Sequence, residues 1–233
     1  MSTGSVHGTR YGGWWLPDNC GLDSSSIIVS AGAGEDISFD LVVQSKYGCR
    51  VEIIDPTQRA LKHFDELRAY YTSGKTSPFS CSIQPDYKTW IDPITPDFSK
   101  IVMNPIGLWE HEGNLKFYHQ DNPNYVSQTL IPNLYGGLYT VVPVERLSAF
   151  LKRKGIETVD VLKLDIEGAE IQVLETMLED SIYPRILCIE FDYYLKGADS
   201  NGISRALIEQ LISVGYELKH NNNWNMVFIN VMQ

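Results

Sequence analysis

A short apolar run, Ile27 to Ala31 (IIVSA), leads straight into Gly32 and Gly34, and the residues that follow, Ile37 to Val43, carry apolar positions at helical spacing. A second strand, Arg50 to Asp55 (RVEIID), stops at Pro56, where Thr57 is placed to cap a helix from Gln58 to about Tyr71. Strand, turn, helix and strand in this order predict parallel β-α units and restrict the chain to the α/β class.

The remainder fits the same scheme. Ile101 to Pro105 reads as a third strand, Leu115 to His119 as an outer strand and Val144 to Lys154 as a helix. The stretch VDVLKLDIEGAEIQVLE, Val159 to Glu175, begins as a buried strand and changes within a few residues into an acid-rich helix start. Ala169, Val173, Leu174, Met177 and Leu178 fall on one face of that helix, and Arg185 to Phe191 is a further buried strand. Ser204 is expected to cap a helix with Leu207, Ile208, Leu211 and Ile212 inward and Gly215 at its end. The strands Tyr216 to Lys219 and Met226 to Val231 flank an Asn-rich turn and predict a closing antiparallel hairpin. Thr72 to Lys100, with Pro78, Pro85, Pro93 and Pro96, and Asp121 to Gly137 read as irregular. At 233 residues the expectation is a single domain over 27–233, with insertions at about 73–99 and 121–137, after an N-terminal extension, 1–26, packed on the cofactor or substrate cleft.

The net charge of −10 argues against nucleic acid, whose phosphates are bound by clustered Lys and Arg. From Glu157 to Asp192 ten carboxylates face only Lys163 and Arg185, a pattern that a solvated helix face also produces. Cys20, Cys49, Cys81 and Cys188 are too far apart for a C-x-x-C site and read as reduced, mostly buried thiols. No apolar run reaches the ~18 residues of a membrane span. The start MSTGSVHGTRYGG lacks a signal peptide's apolar core, so a soluble, cytoplasmic protein is expected.

In an open parallel sheet, ligands bind beyond the carboxyl ends of the strands. Those ends carry Gly32 and Gly34, Asp55, Asn104 and Ile106, Asp165, and Glu190, all expected to converge on one crevice. Paired glycines let backbone approach a ligand, and Asp55 is placed to accept both hydroxyls of a ribose; a tight turn and a strand stop are the plainer explanations. A dinucleotide fingerprint needs a third glycine where Ile37 stands, and Glu35 and Asp36 put carboxylates where a pyrophosphate would sit. A cationic, phosphate-free nucleoside, S-adenosylmethionine, fits better.

VLKLDIEGAEIQVLE resembles the K-x-D-x-E-G-x-E signature of FkbM-like methyltransferases. IIVSAGAGEDISFD resembles the GxGEDxSFD cofactor loop of one branch of that family, VEIIDPT its strand-end acid-Pro pair, and YGGWW and NPIGLWEHEG are also similar, so the likeness covers roughly residues 8 to 192. It implies a class I methyltransferase fold, Rossmann-like, with a mostly parallel seven-stranded sheet, a C-terminal antiparallel hairpin and helices on both faces. It also implies S-adenosylmethionine as donor, bound by Gly32, Ala33, Gly34, Glu35, Asp36, Asp55, Pro56, Asn104 and Ile106, and O-methylation of a sugar, glycan or other small hydroxylated molecule. Many members carry an acid two residues before the first glycine, where this chain has Ser30; Glu35 or Asp36 is expected to take over part of the methionine-end contacts.

Asp165 is the first candidate for the base that takes the acceptor proton, with His119 and Glu190 as further catalytic candidates. Capping of the following helix is the plainer explanation for Asp165, and the helix dipole accounts for Glu167 and Glu170. His111 could serve as His119 does, and Asp192 is expected to be solvated. Asp165 and Glu190 could hold a divalent metal with waters, although two carboxylates do not predict one. Tyr87, Trp90, Tyr125 and Tyr135 supply aromatic faces that could stack on a sugar ring or pack on each other. The rival from another class is a non-catalytic Rossmann-like binding or scaffold subunit that retains the cofactor pocket.

Overall fold

The computed structural model describes residues 3–79, 84–120, 128–132, 137–191 and 202–232. Cys81, Tyr125, Tyr135 and Asp192 lie outside the described residues. The chain divides into two compact units, Met1–Pro105 and Ile106–Gln233.

The first unit opens with an antiparallel hairpin, β1 (Gly4–His7) and β2 (Trp14–Pro17). It continues through β3 (Ile27–Ala31), α1 (Ser38–Tyr47), β4 (Arg50–Ile54), α2 (Gln58–Thr72), a short α3 (Tyr87–Ile91) and β5 (Ile101–Asn104). Strands β3, β4 and β5 pair in that order, all parallel, and their near-continuous apolar runs suit strands covered on both faces. Helix α1 stops at Gly48, whose φ of 68° is the left-handed conformation that a helix end asks of glycine. Thr57 caps α2 by accepting the amide of Ala60.

The second unit holds β6 (Gly107–Leu108), β7 (Gly113–His119), β8 (Gln128–Thr129), β9 (Tyr139–Glu145), α4 (Leu147–Lys154), β10 (Val161–Leu164), α5 (Glu170–Glu179), β11 (Ile186–Glu190), α6 (Ile203–Ser213), β12 (Tyr216–Asn221) and β13 (Asn225–Asn230). Strands β10 and β11 are parallel, β13 runs antiparallel to β11, and β12 closes the antiparallel hairpin with β13. The mostly parallel seven-stranded sheet expected of the class I methyltransferase fold is present.

A second sheet has four strands in the order β6-β9-β7-β8, of which the sequence showed β7 as the outer strand Leu115 to His119 and not the other three. Val144 and Glu145, read as the start of a helix, end β9 instead; Pro143 sits opposite Asn114 in that strand, and α4 begins only at Leu147. Val142, Val144, Phe117 and Leu130 form the buried side of this sheet with Ala169, and Ile166 and Leu115 pack against them. Ser204 proves to lie inside α6, which starts from Gly202 at φ 67°, and Ile212 is 52 % exposed rather than inward. Among the described residues no helix is long and apolar enough to cross a membrane.

Candidate active site

In the first unit the loop after β3 is shaped by Gly32 at φ 87° and Gly34 at φ 52°, conformations that side-chain-bearing residues rarely adopt. A Cβ on Gly34 would meet nothing within 4 Å, so the space beside it is open. Asp55, 6 % exposed at the end of β4, accepts the amides of Ala33 and Gly34 through Oδ2, each at 3.0 Å. Its Oδ1 accepts the amide and the hydroxyl of Thr57 at 2.8 and 2.6 Å. Asp55 therefore ties the glycine loop to the start of α2, a role that the expected ribose contact did not anticipate. Pro56 follows it, half-buried.

The two acids after Gly34 are also engaged. Glu35 receives Arg59 through both Nε and Nη2, at 3.2 and 2.7 Å. Asp36, 8 % exposed, accepts the Thr9 hydroxyl at 2.6 Å and the Ser38 amide at 3.0 Å. Gly12 of the YGGWW stretch packs so closely that a Cβ there would lie 2.7 Å from Asp36 Cγ. Tyr87 is fully buried, accepting the Ile37 amide at 3.4 Å and lying 2.8 Å from His63 Nε2, so it offers no face to a sugar ring. Burial, followed by the charge of Asp36, raises its hydroxyl pKa well above the ordinary value. Asn104, 5 % exposed, donates to buried Glu52 at 2.9 Å and to the Ile53 carbonyl at 3.0 Å. Glu52 in turn receives Arg50 at 2.6 Å.

In the second unit β10 is buried along its whole length, including Lys163 at 3 % exposure. Lys163 Nζ lies 3.4 Å from Asp165 Oδ2, and the Asp165 side chain keeps 29 % exposure just past the strand end. The chain then turns through Glu167 at φ 56° and Gly168 at φ 100°. Glu170, 1 % exposed, reaches back to accept the Ile166 amide at 2.7 Å and the Gly168 amide at 2.9 Å. Burial, with Asp165 and Glu167 adding to it against the backbone amides of Glu170 and Ile166, pushes its carboxyl up to about 8. Glu170 is therefore a buried brace of the loop as well as the first-turn acid expected from the sequence. On the opposite side the Thr129 hydroxyl donates to the Glu167 carbonyl at 2.6 Å.

Glu190 ends β11 half-buried, paired in register with Asn225 of β13. His119 ends β7, half-buried opposite Gln128, and His111 lies exposed before that strand. Ile106 is buried, 8 % exposed, just before β6. Among the described residues no group of three or more His, Cys, Asp and Glu side chains gathers as a metal site. The sequence assigned no site role to Lys163, Thr129, Thr9 or Arg59. Only Lys163 carried a usable signal, a cation inside an otherwise apolar strand.

No protein of curated function matches the chain. Its fold is similar to that of an M. capricolum TrmK in complex with S-adenosyl-homocysteine, at 13 % identity over 93 % of this chain and 69 % of that one, with a TM-score of 0.43. It is similar also to the Methanococcus jannaschii fibrillarin pre-rRNA processing protein, at 12 % identity over 89 % and 67 %, with a TM-score of 0.43. The Methyltransferase FkbM domain matches residues 30–218, which takes in the glycine loop, Asp55, the second sheet and the whole K-x-D-x-E-G-x-E stretch, and the chain belongs to that family of methyltransferases.

Proposed function

We propose that this methyltransferase moves the methyl group of S-adenosylmethionine to a hydroxyl of a sugar, glycan or other small hydroxylated metabolite. The observation that carries the donor assignment is the use of the loop amides. A phosphate at such a turn needs free N–H groups, whereas Ala33 and Gly34 give theirs to Asp55 and Ser38 gives its own to Asp36. Three carboxylates, Glu35, Asp36 and Asp55, gather around an open glycine turn, with Arg59 on the first. That charge favours a cation and opposes a pyrophosphate.

Bound S-adenosylmethionine supplies a methyl carbon made electrophilic by its sulfonium sulfur. The acceptor oxygen would bond to that carbon as the carbon–sulfur bond breaks, with the bonding pair left on the thioether. Asp165 is assigned the hydroxyl proton, which it passes on to water through its exposed edge. Lys163, held in the strand 3.4 Å away, fixes the direction of the carboxylate. A net charge of −10 supports a neutral hydroxylated acceptor over a nucleic acid.

Calorimetry with S-adenosylmethionine and with NADH, followed by a labelled-donor screen of nucleotide-sugars and simple glycosides, tests the proposal. Binding of the first ligand alone, with label transferred to a hydroxyl oxygen, is expected. Micromolar affinity for NADH would overturn the donor assignment, and label appearing only on nitrogen or carbon acceptors would overturn O-methylation.

A further inference from the structure

Glu167 is held in the left-handed backbone region, where a residue with a side chain is strained, at the turn that follows Asp165. Strain of this kind persists only when the surroundings over-determine it. Two contacts do so. Glu170 clasps the amides on either side of Glu167, those of Ile166 and Gly168, and Thr129 holds the Glu167 carbonyl.

The two contacts differ in origin. Glu170 belongs to the helix that the loop starts, so its clasp is local. Thr129 belongs to β8, which pairs among the described residues with Tyr118 and His119 at the end of β7, and Thr129 is completely buried. The Thr129 oxygen also accepts the Ile131 amide at 3.0 Å, which fixes the hydroxyl and leaves its proton for Glu167. Ile166 meanwhile packs on the core formed by Phe117, Leu130, Val142 and Val144. The loop carrying Asp165 is thus seated on the second sheet by a part-buried hydrogen bond and an apolar side chain.

We propose that Thr129 is a positioning residue for methyl transfer: by holding the Glu167 carbonyl, its hydroxyl makes the second sheet part of the apparatus that aims Asp165. The inference rests on the assignment of Asp165 as proton acceptor. It also gives the second sheet a task beyond covering apolar surface, because a shift of β7 and β8 reaches Asp165 through three residues of backbone.

Thr129→Val keeps the shape and removes the donor, and Thr129→Ser restores the donor without the methyl group. In the intact protein with S-adenosylmethionine bound, amide exchange at Ile166 and Gly168 is expected to speed up about tenfold or more in the valine variant, without a matching loss of global stability. On an acceptor returned by the labelled-donor screen, kcat is expected to fall about 10- to 100-fold with KM little changed, as for a displaced reacting group. The serine variant is expected to recover both. Thr129→Cys, a weak donor of similar size, replaces the valine variant if that one does not fold. Unchanged exchange at Ile166 and Gly168, or faster exchange with unchanged kcat, would overturn the inference. Failure of the wild-type protein to bind S-adenosylmethionine would instead remove the reading beneath it, and the exchange data would still tell whether Thr129 holds the loop.

Discussion

Glu170 folds back over its own helix start so that its two oxygens lie 2.7 Å from the Ile166 nitrogen and 2.9 Å from the Gly168 nitrogen. An acid at this position needs no partner to be tolerated, since the helix dipole alone favours it. Its complete burial and double acceptance go well beyond that effect.

Above about pH 8, where Glu170 is ionised and both its oxygens accept N–H groups, Glu170→Gln puts an amide in place of a carboxylate. One of them then faces an NH2, so a loss of about 1–3 kcal/mol is expected, above the ~0.3–1 kcal/mol of a dipole effect. The pH dependence should change with it. Burial raises the folded carboxyl from 4.5 to about 8, so between those values the folded protein holds a proton that the unfolded chain has released. This contribution is fully present below the unfolded value and is lost as pH rises towards the folded one. Urea unfolding at several pH values across that window should show a downward slope in the wild type that is flatter in Glu170→Gln. Parallel slopes would assign the titration to other groups.

Asp55→Asn separates a ligand contact from a loop anchor. The carboxylate now accepts from Ala33, Gly34 and Thr57, and an amide can serve only one of those two sides. Each charged hydrogen bond lost costs about 1.5–3 kcal/mol, so the ligand-free protein should unfold at clearly lower denaturant. S-adenosylmethionine affinity should fall as a consequence of the loosened loop. An Asp55→Asn protein as stable as wild type without ligand, yet weak in binding, would restore the simple ribose role.

Gly12→Ala tests the junction between the YGGWW stretch and the glycine loop. The new Cβ would lie 2.7 Å from Asp36 Cγ, in a spot where Thr9 and Ser38 already fix that carboxylate. Overpacking of this kind costs about 1–3 kcal/mol. Calorimetric melting should show the loss, and Gly137→Ala, with open space around it, serves as a control.

What could be read from the sequence was the part governed by local rules. The strand IIVSA, the glycine turn and the Thr57 cap are set by apolar runs and backbone conformation, and the strand, turn and cap all form as those rules dictate. Most of the second sheet escaped because its outer face mixes exposed Tyr139 and Val141 with Lys116, and because Pro143 disguises a strand as a helix start. Partners distant in sequence were equally invisible: Thr9 meets Asp36 from 27 residues away and Thr129 meets Glu167 from 38. Acids expected to face a ligand consequently turned out to be engaged by backbone amides and by residues that no spacing rule connects to them.

Asp165→Asn is the decisive variant for the chemistry, and Lys163 makes it a double test. The ammonium of Lys163, only 3 % exposed, loses its partner's charge at 3.4 Å when the amide replaces the carboxylate. A stability loss of about 1–3 kcal/mol is expected from that alone. Lys163→Met removes the other half of the pair and fills the strand with an apolar chain, so the double variant should regain much of the stability lost by Asp165→Asn. Turnover should behave differently. If Asp165 takes the acceptor proton, its loss lowers kcat by about 10²- to 10⁴-fold, and Lys163→Met cannot repair this because no base has been returned. S-adenosylmethionine affinity, measured by calorimetry on all three variants, should stay within a few-fold of wild type. Recovery of turnover together with stability in the double variant would mean that Asp165 serves only to neutralise Lys163, leaving His119 or Glu190 as the group to replace next.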